Sequence, residues 1–235
     1  IRNPLVGIKK TLELLEQDGR SKPVAYRQWW DDMRLTIDLL LGMINDMLDV
    51  YQESYSGLPL LNSTVSVKGL VADVVQLFRS EATAKRIVFH VEMPDDDVTI
   101  TADRRRVLRV LVNLIHNALK FSPYGGKITV SVHMEMRECP GYESLGTSAP
   151  LAVIQVADEG PGIAPEDLPH VFEMFGRRKD PGDIRTGRGL GLHFCRLVVA
   201  AHRGKIFAEN RSPVGAVFSV ELPMNKEAYA GYIAD

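Results

Sequence analysis

The sequence predicts an α+β protein in two parts: a two-helix hairpin, then an α/β sandwich of helices and mostly antiparallel strands. Three observations predict this. Residues 1 to about 17 and about 25 to 52 carry apolar side chains at helical spacing. Beyond Ser56-Gly-Leu-Pro59 the pattern changes, and short alternating runs are interspersed with helical ones. Two glycine clusters, Gly160/Gly162 and Gly187/Gly189/Gly191, bracket a charged segment between Ala157 and Leu192.

In the first part, Leu5, Ile8, Leu12 and Leu15 share one helical face, and Asp18-Gly-Arg-Ser-Lys-Pro23 breaks the helix. Met33, Ile37, Leu40, Leu41, Ile44, Met47, Leu48 and Tyr51 form a wide stripe on the second helix. Two helices cannot hide such stripes from water, whereas a four-helix bundle from two chains can, so a homodimer is expected. Trp29 and Trp30 fall at the turn end, one expected to pack and one to stay partly exposed. The resulting division is a hairpin at 1–57, a second domain at 58–225 and a tail at 226–235.

In the second part, Thr64 to Val67 reads as a strand and Val67 to about Lys85 as one helix. Ile87–Glu92 and Val98–Ala102 read as a strand pair around the turn residues Pro94 to Asp97. Asp103 is placed to cap a helix running through Lys120. Lys127–Met136 alternates as a strand, and Glu138–Pro150 is polar and rich in turn residues. Leu151–Ala157 reads as a central strand, Leu192–Val199 as a buried helix, and Lys205–Asn210 and Ala216–Leu222 as closing strands.

A chain of 235 residues has room for one or two domains and a substantial core. Its net charge of −2 gives no reason to expect nucleic acid. Cys139 and Cys195 are too few for a disulfide framework, which favours a reducing, cytoplasmic compartment. No apolar run reaches membrane-spanning length. The chain lacks an initiating Met and opens inside a helical pattern, so a fragment is expected, with room for upstream sensing or membrane segments.

Chemistry concentrates in three blocks. Asp158 and Glu159 end a strand and are followed by a glycine turn, Gly160-Pro-Gly162-Ile163. Gly187, Gly189 and Gly191 precede a helix, where free backbone N–H groups make a phosphate cradle. Upstream, Asn113, Asn117 and Lys120 or Phe121 fall on one side of a helix. A carboxamide oxygen there can complete the coordination of a Mg²⁺ that already holds phosphates and waters, and Lys120 can offset phosphate charge.

These blocks, in this order, resemble the N, G1, F and G2 boxes of the sensor histidine kinases. That family lies within the wider group of gyrase, the heat-shock ninety chaperone and MutL-type ATPases. The resemblance covers roughly residues 60 to 224 and implies Mg²⁺ and ATP as cofactors. It implies that Asp158 accepts a hydrogen bond from the adenine amino group, with Gly160, Gly162 and Ile163 shaping the wall against the base. Phe121, Phe175, Gly187, Arg188, Gly189, Leu190, Gly191 and Leu192 complete the implied nucleotide site, with Asn117 as metal ligand. Asn113, Asn117, Lys120 and Asn3 are the implied catalytic set. Asn113 stands where ATP-hydrolysing relatives carry a Glu that activates water; an amide cannot take that proton, so transfer fits better than hydrolysis. Phe172 and Phe175 resemble the F box, with ordinary core packing nearly as good a reading. Arg177, Arg178 and Lys179 can meet phosphate oxygens, though a solvated charge run is the default. Arg188 departs from the family, which usually has Thr or Ser between the first two glycines. His116, beside Asn117, reads as a satisfied or solvated histidine, and Cys195 as a buried small side chain.

Ile1-Arg2-Asn3-Pro4-Leu5 matches the end of the pattern that follows the family's phosphoacceptor histidine. The acceptor is therefore expected two places before Ile1, and none of the six histidines present takes that position. Asn3 matches a residue that orients water in phosphatase-competent relatives; a helix-surface Asn before Pro4 is the plainer alternative. The family relation implies a response-regulator receiver domain as partner. A nucleotide-binding scaffold without catalysis stands as the alternative, and a Mg²⁺-dependent ATPase is disfavoured by Asn113.

Overall fold

A computed structural model describes residues 60–138, 148–174 and 190–224. The chain divides into two units, Ile1–Gly57 and Leu58–Asp235. The hairpin, with Asn3, Trp29, Trp30 and the apolar stripes, lies outside the described residues. So do residues 139–147, 175–189 and the tail from 225.

The described elements are β1 (Ser63–Ser66), α1 (Val67–Leu77), α2 (Arg79–Ala84), β2 (Val88–Glu92), β3 (Thr99–Ala102), α3 (Arg104–Phe121), β4 (Lys127–Glu138), β5 (Ser148–Ala157), α4 (Leu190–Ala201), β6 (Lys205–Asn210) and β7 (Ala216–Pro223). Five strands form one sheet in the order β2-β4-β5-β7-β6, and β1 and β3 pair separately. Antiparallel register sets Val130 opposite Val156, Val132 opposite Ile154, and Ile154 opposite Val220. This apolar row joins the helices in one core.

Against it lies α3, whose Val107, Val110, Leu111, Leu114, Ile115, Ala118 and Leu119 are all buried. Steps of three and four residues keep these side chains on one stripe. Each is worth roughly 1.5–3 kcal/mol of burial for the larger aliphatics. The helix starts where Asp103 accepts from the N–H groups of Arg105 and Arg106, at 3.1 and 3.2 Å.

Two expectations are corrected. The helix expected from Val67 to about Lys85 is two, broken at Phe78. The break turns the Phe78 ring onto His116 of α3, centroids 6.2 Å apart, while Ala82 of α2 enters the core. Nor do the strands flanking Pro94–Asp97 pair with each other. β2 runs parallel to β4, Val88 opposite Lys127, and β3 runs antiparallel to β1. Turn residues show that the chain reverses but not which edge it meets. Ile100 and Ala102 of β3 are buried with Val65 of β1, whereas Val88 and Val91 of β2 stay exposed at the sheet edge. The parallel pair is reached through a long connection that contains α3.

A polar node joins the two site-bearing helices. His202, after the end of α4, is 1% exposed. Its Nε2 accepts from the N–H of Asp103 at 2.9 Å and its Nδ1 donates to the Val198 carbonyl at 2.7 Å. Both ring nitrogens are thus used by the neutral form. Burial lowers the His202 pKa, against the raising influence of the Val198 bond and the Asp103 charge.

Two outcomes are expected. Leu114→Ala should cost about 2–5 kcal/mol in denaturant unfolding, the range for a large-to-small core change. Because folding disfavours charged His202, its stability contribution is complete above the unfolded histidine pKa of about 6.5 and declines as pH falls below it. A pH series of unfolding midpoints should show that decline in the parent and a smaller one in His202→Gln.

Candidate functional site

The loop after β5 begins at Asp158, which is 4% exposed. Its Oδ1 accepts from Gly160 N at 2.8 Å and Ala216 N at 3.3 Å, while its own N–H donates to the Ala216 carbonyl at 3.0 Å. Oδ2 takes no part in these bonds and is the oxygen that can meet a ligand donor. Burial pushes the Asp158 pKa up, and the two backbone bonds pull against it. The loop lies close to its supports. A Cβ on Gly215, whose φ is +110°, would stand 2.0 Å from the Asp158 carbonyl oxygen. A Cβ on Gly160 would stand 2.8 Å from the Phe121 carbonyl oxygen at the end of α3. Glu159 is occupied structurally: its Oε2 accepts from Lys127 N at 2.9 Å, at the start of β4.

The polar side of α3 meets the start of α4. Asn113 Nδ2 donates to the Gly191 carbonyl at 3.3 Å, and a Cβ on Gly191 would stand 3.4 Å from Asn113 Oδ1. One and two turns further on, Asn117 and Lys120 are half-buried, between that contact and the Phe121–Gly160 contact. The Lys120 ammonium lies 5.2 Å from the Phe121 ring centroid. So α3 links the two glycine segments through its length.

Other sequence-predicted residues lie in the core. Ile163 and Leu192 belong to the buried cluster, so their side chains pack in the core. Phe172 packs edge-to-face on Phe218, and its carbonyl meets His193 Nδ1 at 3.0 Å. Cys195 is fully buried. His116 packs on Phe78, and burial lowers its pKa with Glu81 opposing. Phe175, Gly187, Arg188 and Gly189 lie outside the described residues, as do Arg177, Arg178, Lys179 and the Leu190 side chain.

Residues unremarked in the sequence support this loop: Asn210, Ala216 and Gly215 from the β6–β7 hairpin, and Ser122. Among the described residues, Ser122 Oγ is the buried side-chain polar atom without a hydrogen-bond partner. It follows Phe121 at the end of α3, where the loop arrives, and a hydroxyl there suits a site completed by a polar ligand or its water. Also among the described residues, no three His, Cys, Asp or Glu cluster as a metal cage. The Asn117 carboxamide on α3 has the chemistry of a single protein ligand to a cation held chiefly by phosphate oxygens and waters.

Gly215→Ala should unfold at lower temperature than the parent, since the Cβ has no space and the φ is unfavourable. For Asp158 the sign runs the other way. A raised carboxyl pKa means that ionisation is disfavoured in the fold, and this loss is complete above the folded pKa. Ligand-free Asp158→Asn should therefore match or exceed the parent's melting temperature at pH 7.

Residues 102–226 match the family described as histidine kinase-, DNA gyrase B- and HSP90-like ATPase. Histidine protein kinase DivJ of Caulobacter vibrioides is 31% identical over 185 residues, 79% of this chain and 29% of that protein. Full-length ShkA, solved with AMPPNP, superposes with a TM-score of 0.71 at 27% identity, covering 94% of this chain and 43% of that one. Histidine kinase ThkA, solved with response regulator protein TrrA, gives 0.63 at 23% identity, covering 96% and 59%, and supports the fold alone. The chain spans 23% to 56% of the length of the curated relatives it matches. With this fold, the chain belongs to the histidine kinase-, DNA gyrase B- and HSP90-like ATPase family, and its described part is an ATP-binding catalytic domain of the kind found in sensor histidine kinases.

Proposed function

We propose that this chain is the cytoplasmic kinase core of a sensor histidine kinase, divided into a dimerising hairpin at 1–57, the ATP-binding domain at 58–225 and a tail. It takes Mg²⁺·ATP and transfers the γ-phosphoryl to a histidine of the hairpin, two places before Ile1. From there the phosphoryl passes to an aspartate of a response-regulator receiver. The observation that carries the reading is Asp158: a buried carboxylate with one oxygen committed to backbone N–H groups and the other left for a donor such as the adenine amino group.

The residues divide the work. Asp158 orients the purine, and the Gly160 backbone gives the base a surface without side chains. Asn117 would offer its amide oxygen to Mg²⁺, and Lys120 would balance phosphate charge. When bound, Mg²⁺ supplies charge neutralisation on the triphosphate. The bond between the γ-phosphorus and its bridging oxygen breaks, ADP leaves, and a P–N bond forms to the imidazole, which sheds its proton. Asn113 offers no base for water, and its Nδ2 is engaged by Gly191. This favours transfer over hydrolysis. Asn3, beside the acceptor, would orient water in the reverse, phosphatase direction. A response-regulator receiver as partner follows from the sequence resemblance, and a homodimer from the apolar stripes of the hairpin sequence.

Mass spectrometry after Mg²⁺·ATP tests this, on a version extended upstream by one helical turn and on the chain as given. An acid-labile phosphoryl adduct on the extended version alone is the expected result. Bound nucleotide without an adduct on either would instead identify a signalling scaffold. Asp158→Asn should weaken ATP binding by roughly ten- to a hundred-fold, the loss of one charge-assisted hydrogen bond; unchanged affinity would refute the purine assignment.

A further inference from the structure

We propose that Asn210 is a positioning residue for the purine site: its carboxamide grips the backbone of Ile163 and so sets where Asp158 and Gly160 stand before nucleotide arrives. This rests on the nucleotide reading above. Asn210 Oδ1 accepts from Ile163 N at 2.7 Å, and its Nδ2 donates to the Ile163 carbonyl at 2.7 Å. One side chain thereby satisfies both backbone groups of one loop residue, as a neighbouring strand would. The loop comes directly against the amide, for a Cβ on Gly162, whose φ is +79°, would stand 2.8 Å from Asn210 Oδ1.

The position of Asn210 in the sheet makes this more than a local bond. Asn210 is the register partner of Ala216 across the β6–β7 hairpin. Ala216 is the residue whose N–H and carbonyl hold Asp158. The loop from Asp158 to Ile163 is therefore pinned at both ends by two facing residues of one hairpin. Glu159 to Gly162 span the interval with their backbone course set by those pins. A site whose shape is fixed beforehand spends less binding energy on ordering itself.

The chemistry demands a carboxamide. An aspartate at 210 keeps the acceptor for Ile163 N but sets a negative charge against the Ile163 carbonyl, and an alanine removes both bonds. Asn210 is itself exposed to solvent, so water can replace what the fold loses, and the variants should still fold. The effect falls on the loop.

The test compares the parent chain with Asn210→Ala and Asn210→Asp. Melting curves should change little. Amide exchange at Ile163 should accelerate. Affinities for ATP and ADP should fall together by roughly ten-fold, as expected for two part-buried hydrogen bonds. Inhibition by inorganic tripolyphosphate should stay as in the parent, because the phosphate end of the site lies on other elements. In the extended, phosphorylating version, KM for ATP should rise while kcat holds, since Asn210 touches no transferring atom. Parent-like nucleotide affinity in both variants, with faster Ile163 exchange, would overturn the positioning role and leave the nucleotide reading intact. A parent that binds no adenine nucleotide would overturn both.

Discussion

Burial of one face of α3 against the sheet is the constraint on which the site depends. Seven apolar side chains from Val107 to Leu119 commit that face to the core. The helical repeat then leaves Asn113, Asn117 and Lys120 on one half-buried flank of that stripe, in an order set by the rise of the helix. The carboxamide at one end meets Gly191 and the carbonyl at the other meets Gly160. A shift of one residue in the stripe would turn all three polar groups by about 100° at once. The placing of these polar groups is a by-product of hydrophobic packing beside them.

The loop after β5 shows the opposite economy. Asp158 is buried in a way that works against its charge, and the fold retains it through backbone donors from Gly160 and Ala216. Such an arrangement makes the ligand-free domain less stable than it needs to be. It also leaves the second carboxylate oxygen outside those backbone bonds, where a ligand donor can meet it. The support comes from the β6–β7 hairpin, whose Gly215 admits the Asp158 carbonyl more closely than any side chain would permit.

How much of this was legible follows from the range of each signal. The stripe of α3, its Asp103 cap, the alternation of β4 and the apolar run of β5 are local patterns, and the structure has them with boundaries moved by one to three residues. Pairing was not legible. Pro94–Asp97 looked like a hairpin turn, yet β2 and β3 went to different sheets because their partners were decided by burial elsewhere. The glycine and asparagine blocks stood out because each is compact in sequence. Asn210 could not, since a lone asparagine at a strand end looks like any turn residue. Its meaning comes from facing Ala216 and from a loop some fifty residues earlier. Ser122 was hidden for a related reason: only packing makes its hydroxyl an orphan.

The contact between Asn113 and Gly191 also bears on how such a domain could change its trade. Converting a phosphoryl transferase into a hydrolase by substitution calls for a carboxylate at position 113 to activate water. An ionised carboxylate has no proton to give to the Gly191 carbonyl, so the same change would push apart two oxygens where one hydrogen bond now seats α4 on α3. New chemistry would arrive together with the loss of one bond between the helices. Cys195 Sγ on the Val110 carbonyl and the shared apolar core would still hold α4 against α3, so the helix packing can absorb that loss.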